Sequence, residues 1–317
     1  MAKYILKRVL LLIPTLLVVT IVTFALMRMM PGSAVDMILN KYQTMGFTVD
    51  RATVLAQLGM DKPVVQQYFI WLFDLLRGDF GDSLFQNQSV LELIAAKMPI
   101  TLELSLFTLI ITNVLSIPLG VITAARQDSI GDYSARLASI VLMAVPTFWL
   151  GTLVLIYPAK WWGYAPTITY VSIFDNFAEN MKMFLVPAVL GATGQLGMQM
   201  RVVRTSLLDV MRQDYVRTAW AKGIKERSVL YGHAFRNSLI PVVTLVGGSV
   251  AGLVGGSVIL ENLFNIPGLG SCMVTALNNY DYPLVQGCVV ILAVVVMLIN
   301  LLVDITYKWC DPRVTLE

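Results

Sequence analysis

Six stretches of about 20 mostly apolar residues dominate this chain, and a run of that length crosses the hydrocarbon core of a bilayer as a helix. They are Val9–Met27, Leu102–Thr123, Leu137–Tyr157, Met183–Met200, Leu239–Leu260 and Leu284–Tyr307. In lipid a backbone must satisfy its own polar groups, and a helix does so within the segment. Composition agrees: 57% of the 317 residues are hydrophobic and 14% charged, against about 25% charged in soluble domains. The expected class is an all-α integral membrane protein with about six transmembrane helices. Lys3, Lys7 and Arg8 lead the first run. A basic start before an apolar run also describes a cleaved signal peptide, but the run is long for one and five more spans follow, so a retained helix is expected. The fourth run is the most polar, with Pro187, Gly191, Gly194, Gln195 and Gly197, and is expected to face protein or water.

Lysine and arginine in short loops set orientation. With the N-terminus cytoplasmic, fifteen of the 23 basic residues fall inside, eight of them between Arg201 and Arg236. The two short outer loops hold only Lys160 and Lys182. Both termini are therefore expected in the cytoplasm. The division expected along the chain is an N-terminal span over 1–30, an extracytoplasmic segment over 31–100, and a five-helix core over 101–317 that contains a cytoplasmic loop, 201–237. In the outer segment, Pro63 can open a helix, and Val64, Val65, Tyr68, Trp71, Leu72 and Leu75 recur at helical spacing up to Arg77-Gly78. Such a helix either lies on the outer leaflet, with Tyr68 and Trp71 at the headgroups, or docks an external partner.

Little in the sequence points to chemistry on the chain. Cys272, Cys288 and Cys310 share no CxxC spacing, and one histidine, His233, disfavours a histidine-built metal site. No G-x-x-x-x-G-K-[ST] phosphate loop occurs, so ATP, if used, binds another chain. Neither a nucleophile–base pair nor a dense array of intramembrane acids is apparent, which disfavours a membrane enzyme and a proton-coupled carrier.

The 201–237 loop is the most informative segment. Leu208, Met211, Tyr215 and Ala219 follow 3- and 4-residue steps and are expected on one helical face. Small residues follow at Ala219, Ala221 and Gly223 among basic neighbours. A membrane-surface helix would carry bulky apolar residues on its buried face. The small run suits close seating in a groove of a soluble partner, and Gly223 can end or bend the helix. A positive-inside loop without a partner explains the charge but not the small residues.

Asp214-Tyr215-Val216-Arg217-Thr218-Ala219, Ala221-Lys222-Gly223, His233, Arg236-Asn237 and Pro241 resemble the cytoplasmic loop of dipeptide/oligopeptide/nickel ABC importer permeases. The likeness continues through Gly255-Gly256, Glu261-Asn262-Leu263-Phe264, Pro267-Gly268-Leu269-Gly270, Asp281-Tyr282-Pro283, Gln286-Gly287, Asn300, Asp304 and Asp311-Pro312-Arg313. Upstream it includes Arg77 to Ser83 and Thr101-Leu102, so it covers nearly the whole chain. Trp220 departs from the arginine usual between the two alanines, and Arg217 stands where the general permease signature begins with glutamate.

The resemblance implies a type I ABC importer permease fold in a bacterial cytoplasmic membrane. It implies a pore subunit for peptides, or for a related solute such as a nickel chelate. The implied partners are a second homologous permease, two ATPase subunits or domains and an extracytoplasmic solute-binding protein. No cofactor is implied on this chain, since ATP and Mg belong to the ATPases, and no nucleic acid is involved. The coupling residues implied are Asp214, Tyr215, Arg217, Ala219, Trp220, Lys222, Gly223, Glu226, His233 and Arg236. Gly248, Gly252 and Gly256 recur at every fourth position, a spacing that permits close helix packing in lipid. With Ser249, Ser257, Asn113, Gln195 and Gln199 they are expected at helix contacts or along the path. Glu261, Asn262, Pro267, Gly268 and Asp281 are implied in an outer gate or binding-protein contact. The rival class is an ion-coupled secondary transporter or channel, which would work as a single chain.

Overall fold

The computed structural model describes residues 2–310. The side chains of Lys3, Lys7 and Lys308, and Asp311-Pro312-Arg313 as a whole, lie outside the described residues. The described chain is helical: α1 (Ala2–Met29), α2 (Ala34–Thr44), α3 (Arg51–Gln57), α4 (Val64–Leu76), α5 (Val90–Ala125), α6 (Ile130–Ala144), α7 (Thr147–Trp162), α8 (Phe177–Met211), α9 (Asp214–Ala221), α10 (Glu226–Ser228), a π-helix (Val229–Phe235), α11 (Arg236–Leu263), α12 (Leu269–Asn278) and α13 (Tyr282–Cys310). Its contacts divide it into two units. One holds the chain up to Ile100 together with Pro267–Met297; the other holds Thr101–Ile266 and the chain from Leu298 onward.

Three apolar helical stretches, Leu10–Met29, Val90–Ala125 and Tyr282–Ile305, are long enough to cross a membrane. Two bent pairs meet the same criterion, α6 with α7 at 94° and Glu226–Val250 with Gly252–Leu263 at 51°. The expected straight span Leu137–Tyr157 is thus two helices. Pro146 bars the helical conformation at the preceding residue, and Val145 is extended at φ −88° and ψ 123°. Helix α8, over the fourth run, is 35 residues long but too polar to count among these.

In the first unit, Val90, Leu93 and Ile94 pack with Leu269, Cys272 and Ala276 of α12 and with Leu284, Val285 and Cys288 of α13. Cys272 and Cys288 are small core residues, and the Cys310 side chain lies outside the described residues. Gly287 lets α13 close on α5, since a Cβ there would stand 2.5 Å from Val90 Cγ1. Asp281 is buried and ties the segment before α5 to the turn before α13. Its carboxylate accepts the Ser83 hydroxyl at 2.5 Å and the Leu84 N–H at 3.2 Å.

Helix α4 begins after Pro63 and ends at Arg77-Gly78, where the sequence placed it. Its aromatic side packs within the chain. Tyr68 shares a 3.0 Å hydrogen bond with Thr20, and Tyr68 and Trp71 pack on Phe24 of α1 with centroids 5.4 and 5.9 Å away. Val64, Val65, Phe69, Phe73 and Leu76 are exposed instead. Nearly every position of α4 is apolar, so periodicity alone could not tell which side meets α1.

In the second unit, α8 packs against α6, α7 and α11. Asn176 caps its start by accepting from Ala178 and Glu179 N–H. Helices close at glycines: a Cβ on Gly197 would stand 2.6 Å from the Ser139 carbonyl oxygen, and one on Gly120 would stand 2.6 Å from Val203. Buried and half-buried carboxylates of this unit are hydrogen-bonded. Asp132 accepts both Arg204 Nε and Nη2 at 2.8 Å, with Arg136 at 3.4 Å. Glu103 accepts from Asn180 at 2.8 Å and from the Tyr170 phenol at 3.0 Å. Burial, and then the Glu103 carboxylate, push that phenol above its ordinary pKa.

Gly197→Ala should destabilise the protein by about 1–3 kcal/mol through overpacking against backbone, whereas Gly194→Ala, which meets open space, should be neutral or stabilising by up to about 1 kcal/mol. Asp281→Ala should cost roughly 2–4 kcal/mol by leaving a buried hydroxyl and N–H unsatisfied. Thermal unfolding of the detergent-purified variants checks all three.

Candidate functional site

A sharp break at Arg212-Gln213 separates α8 from α9. Leu208 and Met211 therefore sit on one helix and Tyr215 and Ala219 on another, so the single face expected of them does not form. The polar Arg-Gln pair at the break gave no periodic signal of its own. Helix α9 is seated by Val216 and Ala219, which are buried against Val229 of the π-helix, with Val210 and Ile224 alongside. Ala219 is thus a foundation of α9 rather than part of its outer surface. Ala221 and Gly223 are the small residues left exposed.

The end of α9 is a closed Schellman cap. Gly223 N–H donates to the Trp220 carbonyl at 2.9 Å and Ile224 N–H to the Ala219 carbonyl at 3.3 Å. Gly223 has φ +74° with open space around it, a conformation that costs other L-residues about 1–2 kcal/mol. Asp214 lies in the first turn, where a carboxylate meets the positive end of the helix dipole, and pairs with Arg217 at 3.6 Å. Asn237, at the start of α11, donates to the Tyr215 hydroxyl at 2.9 Å. The result is a short, fixed projection. Its exposed surface carries Tyr215, Arg217, Trp220, Lys222 and Gly223, with Glu226, His233 and Arg236 exposed on the elements that follow. A shallow hollow beside it is lined by Lys225, Arg227, Ser228 and Tyr231. Of these, Tyr231 carried no sequence signal.

A cavity of about 260 Å³ lies among α5, α7, α8 and α11. Gln195, Gly252, Gly256 and Ser257 line it, as do Ser105, Thr108 and Thr147, which the sequence reading missed. The hydroxyls of Ser105, Thr108 and Ser257 bond carbonyls of their own helices at 2.8–2.9 Å. A hydroxyl satisfied in this way sits in an apolar run without disturbing it. The Gln195 Oε1 is shielded and has no hydrogen-bond partner.

Other expected residues lie elsewhere. Asn113 and Gln199 bond each other at 2.7 Å and pack α5 on α8. Ser249 bonds the Val246 carbonyl. A Cβ at Gly248, Gly252 or Gly256 meets nothing within 4 Å in this chain. The tight glycines within helices are those on α5, α7, α8 and α13. Glu261 is fully buried and accepts from Thr101 at 2.7 Å and Ser257 at 3.1 Å. Asn262 is exposed, Pro267 half-buried and Gly268 buried. Among the described residues, no group of three or more His, Cys, Asp or Glu side chains is placed to hold a metal.

Known proteins match the chain over its length. The family model described as binding-protein-dependent transport system inner membrane component covers residues 116–316, and its N-terminal companion covers residues 1–105. A putative peptide transport system permease protein of Brucella suis biovar 1 is 40% identical over 314 residues. The oligopeptide transport system permease protein AppB of Bacillus subtilis is 37% identical over 317 residues. The dipeptide transport system permease protein DppB of Escherichia coli K12 is 34% identical over 338 residues. Each alignment spans 99% of both chains. The inward-facing MetNI methionine ABC transporter superposes with a TM-score of 0.53 at 15% identity, covering 70% of this chain and 97% of that one, a likeness of fold. The expectation of an all-α type I permease fold is met, and the chain belongs to the binding-protein-dependent transport system inner membrane component family.

Proposed function

We propose that this chain is one of two pore-forming subunits of an ATP-driven importer for peptides or a related small solute, in a bacterial cytoplasmic membrane. In this reading the chain crosses the membrane six times, with both termini in the cytoplasm and the 31–100 segment outside, ahead of a core over 101–317. ATP and Mg bind separate ATPase subunits, and a solute-binding protein delivers the cargo. This chain makes and breaks no bond.

The observation that carries the reading is the mounting of α9. Its inner face is buried, its end is capped and its tyrosine is tied to α11, while Trp220, Ala221, Lys222 and Gly223 remain exposed. Such a projection suits seating in an ATPase, so that closure of the ATPases moves α9 together with α8 and α11. Transmission of this kind needs elements with two discrete arrangements. Full-length identity of 34–40% to peptide permeases supports peptides as cargo. The open glycine stripe of α11 offers close approach to a helix of the second permease, beside the cavity that holds Gln195 and Ser257. Glu261 and Asp281, each bonded within the chain, would hold the framework of the outer gate while Asn262 faces out.

Gly223→Glu and Ala221→Glu should each lower uptake at least about tenfold, because an unpaired charge placed in a docked interface costs several kcal/mol. Ala221 lies in ordinary helix, so its variant separates bulk and charge from strain at φ +74°. Normal uptake with normal ATPase association in both variants would rule out docking through α9. A mild-detergent pull-down from the native membrane should recover an ATPase and a second permease. A single-chain preparation that transports down an ion gradient would establish the secondary carrier or channel instead.

A further inference from the structure

Arg28 stands in the last turn of α1, one residue before the end of the apolar stretch Leu10–Met29. A guanidinium at that depth sits at the edge of the hydrocarbon, where an isolated charge is expensive and needs a partner. Its aromatic neighbours are Phe24, with the guanidinium carbon 5.1 Å from the ring centroid, and Tyr282 at 5.3 Å. Its Nη2 donates to the side-chain carbonyl of Gln67, a neutral acceptor. Gln67 is held in that orientation because its own amide donates to the Lys62 carbonyl at 2.7 Å and the Met60 carbonyl at 3.4 Å. The Arg28 Nε is shielded and has no hydrogen-bond partner. Among the described residues no carboxylate forms an ion pair with it.

This arginine lines a cavity of about 210 Å³ walled by α1, the Leu58–Lys62 turn, α4 and the start of α13. Lys62 and Asp74 are also on its wall, so two cations face one acid. Ile70 of α4, on the same wall, is exposed and supplies adjoining apolar surface. A charged headgroup with its acyl chains needs this combination of cationic pocket and greasy flank, at the depth where phosphates lie.

We propose that this cavity binds the phosphate of an anionic phospholipid, with Arg28 as its principal ligand and Lys62 as a second cation at the wall. The lipid anion supplies the acceptor that Arg28 Nε lacks and fastens α4 to α1 at the membrane boundary. The inference rests on α1 crossing the bilayer and not on which solute is carried.

The test is lipid retention by the full-length chain, purified with its native partners, delipidated in mild detergent and titrated with phosphatidylglycerol or phosphatidylcholine of identical acyl chains. Native mass spectrometry counts the bound lipid. Wild type should retain phosphatidylglycerol roughly fivefold over phosphatidylcholine, the preference that one basic residue near the surface supports. Arg28→Gln should abolish that preference and Lys62→Gln should reduce it. Equal retention of the two lipids by wild type, or an undiminished preference in Arg28→Gln, would overturn the assignment. Displacement of the lipid by millimolar inorganic phosphate would mark an aqueous anion site and overturn the lipid reading. If Arg28→Gln does not fold, Arg28→Lys replaces it: loss of the fork with retention of charge should weaken retention, and wild-type retention overturns the assignment. Transport does not enter the readout, so failure here leaves the importer reading untouched.

Discussion

Close approach of backbones, permitted by glycines where no side chain fits, is the constraint on which both units depend. Helices in lipid gain little from burying apolar groups against one another, because the acyl chains are equally apolar. What remains is shape. Gly197 against Ser139, Gly120 against Val203 and Gly287 against Val90 bring helices within a distance that one added methyl would forbid. Dispersion forces then act over many atoms at short range. Around these contacts the polar groups are satisfied pairwise: Asp132 with Arg204, Glu103 with Asn180, Asn113 with Gln199, Asp281 with Ser83. Each pair joins residues far apart in sequence, so each also fixes which helices are neighbours.

The helical class and the boundaries of α4 were legible because they rest on local signals: run length and proline and glycine punctuation. Contacts between segments were not. The glycine series on α11 has the spacing of a packing seam, yet the seams within the chain run along other helices, where glycines occur singly. A lone glycine in an apolar run reads as noise until its neighbour is known. Tyr68 and Trp71 show the same limit, since an almost wholly apolar helix leaves its orientation to whatever packs on it. The right-angle turn at Val145-Pro146 was signalled locally by the proline. It was hidden by the hydropathy of the 21 residues around it, which read as one run.

The two candidate sites differ in how their function-bearing atoms are held. On α9 the buried residues are ordinary core, and exposure is what singles out Trp220, Lys222 and Gly223. In the cavity beside α11 the hydroxyls of Ser105, Thr108 and Ser257 are spent on carbonyls of their own helices, and the shielded Gln195 Oε1 has no hydrogen-bond partner.

The π-helix at Val229–Phe235 sets the phase between these sites. One residue is inserted relative to α-helical winding, and π segments of this kind often sit at functional positions. Val229, at its start, anchors α9, while the open glycines of α11 lie beyond its end. An α-helix turns by about 100° per residue. Loss of a single residue within the π segment would therefore rewind it and swing the glycine stripe through that angle about the helix axis while α9 stayed put. The segment works as an angular offset written into the chain, and the spacing between the two sites is tuned in degrees as much as in ångströms.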